Sequence, residues 1–305
     1  VGIYAGLGET YSFWGSWKGQ NGDYKVFYNK SLEYSLKAIE LAPNSSHSHR
    51  ALATSYYALG RYEKAEKAAR EAIDINPNDA EAYFILWKVM GKDPYSEYIR
   101  KALDLNPDLL MAHNDLGTAY LESGNYDKAI YHFRHAVELD PDNALVHNNL
   151  GHALVEIGNL EEGIKEYKKS IEIDPDNDLT HSNLATALLH KGEIGKAIKE
   201  YKKAVEINPN SALFHYNLGT ALLLGGKIKE GIKELKMTVE LKPNFGEAYT
   251  NLGCALIEIG KTDEAIEAFK KAININPDDV LARRNLVRAF ETTGQTEETL
   301  SHQKN

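Results

Sequence analysis

Eight prolines, Pro43, Pro77, Pro107, Pro141, Pro175, Pro209, Pro243 and Pro277, punctuate the chain at steps of 34 residues, with a single step of 30. An interval of that size marks one supersecondary unit copied along the chain. Each copy must then bury its apolar face against its neighbours instead of in a central core. The spacing predicts one elongated stack over residues 1–305 with no domain boundary. Function has to be sought on its surface.

Residues 110–143 serve as the reference unit: His113, Leu116, Gly117 and Tyr120 fall in the first half, and Ala129, Phe133, Ala136 and Pro141 in the second. Apolar residues recur at three- and four-residue steps in each half, which predicts two helices. Gly124 stands between them, where a helix takes a left-handed cap, and returns as Gly60, Gly158, Gly192, Gly226, Gly260 and Gly294. Between units lie Asn-Pro-Asn-Asp (76–79), Asp-Pro-Asp-Asn (140–143 and 174–177) and Asn-Pro-Asp-Asp (276–279). There proline ends one helix and Asp or Asn caps the next. Gly117, Gly151, Gly219 and Gly253, with Ala53 and Ala185 in the same place, are small enough for the two helices of a unit to approach closely.

Leu-Gly followed by Tyr, then Ala, Phe and Pro at this period resembles the tetratricopeptide repeat. The resemblance covers nearly the whole chain, with units at 46–79, 80–109, 110–143, 144–177, 178–211, 212–245 and 246–279. It implies an all-α solenoid, a right-handed superhelix of antiparallel helix pairs, and a general protein-binding scaffold. Three places depart from the pattern. Residues 1–45 are expected to form an atypical first repeat, with an insertion around 12–24 whose Phe13, Trp14 and Trp17 plug the end of the stack. Residues 80–109 are short, with Trp87 in the glycine place and Pro94 expected to open a shortened second helix. Residues 280–305 are expected to be a partial repeat or capping helix.

At 100° per residue, the first helix of 144–177 separates into an inward side, with His147, Leu150, Gly151 and Leu154, and an opposite side, with Leu145, Asn148, Asn149, His152, Val155 and Glu156. The resemblance turns the second side into a concave peptide-binding groove. At the sixth residue of successive units stand Asn149, Asn183, Asn217, Asn251 and Asn285, preceded by Asp115. A primary amide both donates and accepts, so it can pair with a peptide unit whatever side chain is beside it. Mid-helix asparagine also costs helix stability, so its repetition asks for a compensating role. This register looks like the repeat region of O-linked N-acetylglucosamine transferase, and that likeness implies asparagines holding the backbone of an extended polypeptide. The ninth positions include Thr118, His152, Thr186 and Thr220, and Asn114 and Asn148 stand at the fifth. These eleven residues form the expected groove. The alternative for the asparagines is that they merely solvate or cap the surface.

Other constellations point away from chemistry. His49, His113, His147, His181 and His215 are one repeat apart, too far to converge on one metal ion, and read as packing residues. His132 and His135 lie three apart with no nearby sequence partner to complete a site, and the lone Cys254 has no positioned base. No phosphate loop, nucleophile elbow or zinc-protease motif occurs. Fifth positions such as Arg50, Phe84, Ser182, Tyr216 and Thr250 lack the cations of a carboxylate clamp. The runs 165–169, 199–203 and 233–236 interleave lysine with glutamate and read as a solvated outer face.

A net charge of −9 opposes a nucleic-acid partner. No apolar run is long enough for a bilayer and no leader opens the sequence, so no membrane insertion and a cytoplasmic location are expected. The expected function is a non-enzymatic scaffold, without cofactor, that binds a protein or peptide. The alternative is the substrate-recognition region of a larger glycosyltransferase, kinase or cyclase, since Val1 and the curtailed last repeat suggest a piece of something longer. Self-association by repeat stacking is a third reading.

Overall fold

The computed structural model describes residues 2–18 and 24–293, with side chains over 2–12 and 25–292. All regular structure among the described residues is helical, in two compact units, residues 1–142 and 143–305. The first unit holds α1 (Gly2–Lys18), α2 (Tyr24–Leu41), α3 (Ser46–Ala58), α4 (Tyr62–Ile75), α5 (Ala80–Val89), α6 (Glu97–Leu105), α7 (Leu110–Glu122) and α8 (Tyr126–Leu139). The second holds α9 (Ala144–Glu156), α10 (Leu160–Ile173), α11 (Asp178–His190), α12 (Ile194–Ile207), α13 (Ala212–Leu224), α14 (Ile228–Leu241), α15 (Gly246–Glu258), α16 (Thr262–Ile275) and α17 (Val280–Thr293). The sequence gives no sign of this division, because the 34-residue step runs straight through it.

Caps set the helix boundaries. The side chains of Asp79, Asn143, Asn177 and Ser211 accept from the backbone N–H of Ala82, Val146, Thr180 and Phe214, and so fill donors that the first turn leaves unpaired. Within the α7–α8 hairpin, Gly124 takes φ +74°, and the Asn125 N–H reaches back to the Tyr120 carbonyl at 2.8 Å. The next residue is thereby aimed into an antiparallel second helix.

Within the second unit α9 packs on α10, α10 on α11, and so on to α17, while α9, α11, α13, α15 and α17 also touch in succession. First helices thus share one face and second helices another. Close approach inside each pair is steric: a Cβ on Gly253 would lie 2.5 Å from the fully buried Phe269 ring, and one on Gly151 2.9 Å from Tyr167. In α12 the buried stripe is Ala197, Ile198, Tyr201 and Ala204. Its lysines point outward, with Lys202 reaching Glu230 at 3.2 Å and Lys203 reaching Glu206 at 2.8 Å, which makes this a solvated face.

The first unit is less regular. Trp87 fills the glycine place of the α5–α6 pair, fully buried, and its Nε1 donates to the Asp93 carbonyl at 2.7 Å. Pro94 does not open the second helix. It lies in the turn that wraps Trp87, and α6 starts at Glu97 behind a Ser96 cap. The backbone strains at this turn, where Lys92 is the one described non-glycine residue with positive φ, +58°. At the chain start α1 runs on to Lys18, so the expected insertion begins later than residue 12; the side chains of Phe13, Trp14 and Trp17 lie outside the described residues. Small residues knit α1, α2 and α3 together. Ser31 Oγ bonds Ser12 Oγ at 2.7 Å and Ser55 Oγ at 2.6 Å, and Ser35 Oγ bonds Ser55 Oγ at 2.8 Å, all buried.

Candidate functional site

In the second unit the first helices carry the expected face. Along α9, Val146, His147, Leu150, Gly151, Ala153 and Leu154 are buried, while Leu145, His152 and Glu156 are exposed and Asn148 and Asn149 half-buried. Asn183, Asn217, Asn251 and Asn285 are half-buried too, so all five ladder amides reach the surface without standing clear of it. Three of their donors bind the preceding repeat. Asn183 Nδ2 donates to Asn148 Oδ1 at 3.0 Å, Asn251 Nδ2 to the Tyr216 hydroxyl at 3.2 Å, and Asn285 Nδ2 to Cys254 Sγ at 3.1 Å. Asn148 Nδ2 in turn points to Asn149 Oδ1 at 3.3 Å.

The sequence reading missed this staple between repeats. The 35-residue offset from Asn183 to Asn148 and from Asn251 to Tyr216 was its only signal. Asn183 commits one N–H and keeps a second N–H and its carbonyl oxygen to offer, while Asn251, whose Nδ2 reaches both Tyr216 and Thr220, keeps its carbonyl oxygen.

The ninth positions behave alike. The Thr186 hydroxyl donates to the Ser182 carbonyl at 3.0 Å and lies 2.8 Å from the Tyr201 hydroxyl, so it is bonded within its own repeat on both counts. Thr220 Oγ1 lies 3.4 Å from Asn251 Nδ2, and His152 is exposed, with Nε2 3.5 Å from Glu156. Beside this line Leu145, Leu179 and Leu213 each leave about half their surface in water. Burial pushes the Cys254 thiol up, and Asn285 only partly offsets it. The residue is a neutral filler.

In the first unit the polar groups of the corresponding face are largely paired with one another. Asn114 is buried, 4 % exposed, and its Nδ2 donates to Asp115 Oδ1 at 3.2 Å, so it is not among the surface amides. Thr118 is half-buried and donates to the Asn114 carbonyl at 3.0 Å. Asp115 pairs with Lys88 at 3.1 Å. Arg50 is held by Glu9 at 3.0 Å, Asp79 at 3.1 Å and Glu81 at 3.2 Å; burial alone would lower its pKa, and these carboxylates raise it. Arg50, Tyr57, Phe84, Lys88 and Met111 line a cavity of about 390 Å³.

His113, His147, His181 and His215 are buried as expected of packing residues, and His49 is half-buried, but all five are also bonded. His181 and His215 place Nε2 at 3.1 and 3.0 Å from the carbonyls of Pro175 and Pro209, and Nδ1 at 2.8 and 2.7 Å from Glu200 and Glu234. His147 Nδ1 meets Glu166 at 2.6 Å. The first unit differs: His113 Nδ1 meets His132 Nδ1 at 3.0 Å, and the His113 and His135 ring centroids are 4.3 Å apart. His132 and His135 therefore do have a partner, 19 and 22 residues upstream. Among the described residues, no group of three or more His, Cys, Asp or Glu side chains is arranged to hold a metal ion.

Comparison with known proteins agrees with this architecture. The description "TPR repeat" matches residues 117–158, 151–192 and 185–225, and "Tetratricopeptide repeat" matches 46–79, 98–131 and 246–279. The chain belongs to the tetratricopeptide repeat family. A curated relative, the tetratricopeptide repeat-containing protein trd-1 of Caenorhabditis elegans, is 29% identical over 105 residues, 33% of this chain and 14% of that protein. This tetratricopeptide chain thus matches only a small part of that relative's length.

Among solved structures, MamA is similar at 28% identity and TM-score 0.50, over 53% of this chain and 94% of MamA. YrrB, described as a TPR protein with an unusual peptide-binding site, is similar at 23% identity and TM-score 0.53, over 62% of this chain and 97% of its own. The APC/C hetero-tetramer Cut9–Hcn1 is similar at 19% identity and TM-score 0.64, over 86% of this chain and 52% of that one. The last two are likenesses of fold. Tetratricopeptide repeats form scaffolds for protein interaction, and no described helix of this one is long and apolar enough to cross a membrane.

Proposed function

We propose that the 143–305 unit is a non-catalytic module that binds an extended polypeptide by its backbone, with Asn149, Asn183, Asn217, Asn251 and Asn285 as the contacts. The observation that carries this reading is the half-buried position of all five amides in one register. Hydrogen bonds such as Asn183 to Asn148 and Asn251 to Tyr216 hold the side chains in a fixed rotamer, which lowers the entropy cost of binding. The amide oxygens of Asn183 and Asn251, with the second N–H of Asn183, match what a peptide unit offers. Asn148, His152, Thr186 and Thr220 add polar contacts beside them, and Leu145, Leu179 and Leu213 add apolar surface. A net charge of −9 works against a nucleic-acid ligand. A protein with this fold, YrrB, is described as having a peptide-binding site, which makes peptide a reasonable class of ligand.

The test is selection of a displayed library of random peptides on the intact chain. Alanine at Asn183, Asn217 and Asn251 together should weaken the selected peptides by about tenfold or more, since each lost hydrogen bond is worth about 0.5–1.5 kcal/mol. Affinity unchanged in that variant contradicts the reading, as does a library from which nothing is selected.

A further inference from the structure

The fourth residue of α7, α9, α11 and α13 is histidine, and each ring meets a side chain 19 residues later on its partner helix. In three repeats that side chain is Glu166, Glu200 or Glu234; in the α7–α8 hairpin it is His132. The exchange reverses the response to protons. His181 touches a peptide carbonyl and a carboxylate, neither of which can donate, so its ring is held with a proton on both nitrogens; His215 makes the same two contacts.

In the α7–α8 hairpin, the bond from His113 Nε2 to the Pro107 carbonyl, 2.8 Å, fixes that proton and leaves a lone pair on Nδ1. His132 Nδ1–H fills it at 3.0 Å. One further proton could still be shared as His113 Nδ1–H to His132 Nδ1, but charging both rings would set N–H against N–H and cation against cation. The other titratable groups around the pair are Tyr120 of α7, Asp108 of the preceding turn, and Lys128, Tyr131, His135 and Glu138 on α8. Of these, Asp108 and Glu138 favour a positive ring, and Glu138 is solvent-exposed and 3.7 Å from His135.

We propose that the α7–α8 hairpin is an acid-labile joint: in mild acid, protons entering the His113–His132–His135 cluster loosen α8 from α7, while the His–Glu clasps of the second unit hold. Burial, with His113, His135 and Lys128 nearby, pushes His132 from 6.5 down to about 4, and burial also lowers His113. A histidine lowered in the fold binds fewer protons folded than unfolded, so its stability is full above 6.5 and is lost as pH falls toward 4. The bond to Glu200 raises His181, so that clasp is fully present below 6.5 and is lost as pH rises through the raised value. Loosening α7 would also release Lys88 from Asp115.

Hydrogen exchange on the intact chain, corrected for intrinsic rate, separates these responses. Between about pH 7.5 and about pH 5.5, fragments covering 107–139 should open about tenfold more and those covering 178–207 no more than before. His132→Glu, which installs the clasp of the other repeats, should abolish the acid response. If that variant does not fold, His132→Asn should cut the response to below about twofold. Equal protection of 107–139 at both pH values, or an undiminished response in whichever variant folds, overturns the proposal.

Discussion

In the 143–305 unit the sixth residue of each first helix is asparagine and half-buried, and Asn183, Asn251 and Asn285 are joined to the repeat before; in the 1–142 unit the same place holds Ala51, Ile85 and Asp115. The first pair is buried and Asp115 is neutralised by Lys88. One repeat framework thus supports two kinds of face. Uncharged amides keep bonding capacity for a ligand, whereas the ion pairs of Arg50 and Lys88 are satisfied internally. The helix-pair interior differs in one place, with Trp87 filling the gap itself in α5–α6, whereas Gly253 faces Phe269 in α15–α16 as Gly117 faces Phe133 in α7–α8.

The largest effect should come from Trp87→Ala, which empties the irregular pair: a loss of about 3–5 kcal/mol in urea unfolding. A loss below about 1 kcal/mol would mean that the short hairpin does not depend on its tryptophan. Gly253→Ala sharpens the same contrast from the regular side, because its Cβ would press 2.5 Å from Phe269, a rigid ring with no room to retreat. About 1–3 kcal/mol should be lost by the same measurement. Glu200→Gln removes the charged partner of His181 and should cost about 1.5–3 kcal/mol near pH 6, shrinking as pH rises through the raised histidine value. A cost that grows toward alkaline pH would reverse the sign assigned to the clasp. Smallest is Lys236→Ala, which breaks the exposed pair with Glu264: at most about 1 kcal/mol, vanishing in high salt.

The parts of this molecule legible in the sequence are those set by local chemistry. The left-handed glycines from Gly60 to Gly260, the Asp and Asn caps, the close-contact glycines and the inward side of α9 follow from short-range rules, and the structure has them where expected; Gly294 lies outside the described residues. Trp87 was readable as an intruder, but not the turn that wraps it, since Pro94 suits a first helical turn as well as a loop. What escaped the sequence depends on register across helices. His132 stands where later repeats place glutamate, and only the hairpin geometry shows that His113 faces it. Asn114 reads as part of the groove by position, yet packing buries it. The ladder amides read as free, while in the fold at least Asn183, Asn251 and Asn285 hold the preceding repeat.

Recognition through peptide units rather than side chains can be tested by measuring a selected peptide and its backbone N-methylated counterpart against the wild-type chain and the Asn183, Asn217 and Asn251 alanine variant. N-methylation should weaken binding to the wild type by about tenfold or more and leave binding to the variant nearly unchanged, because the amide partners are already gone. An equal penalty in both proteins, or none in either, contradicts binding by the asparagine register.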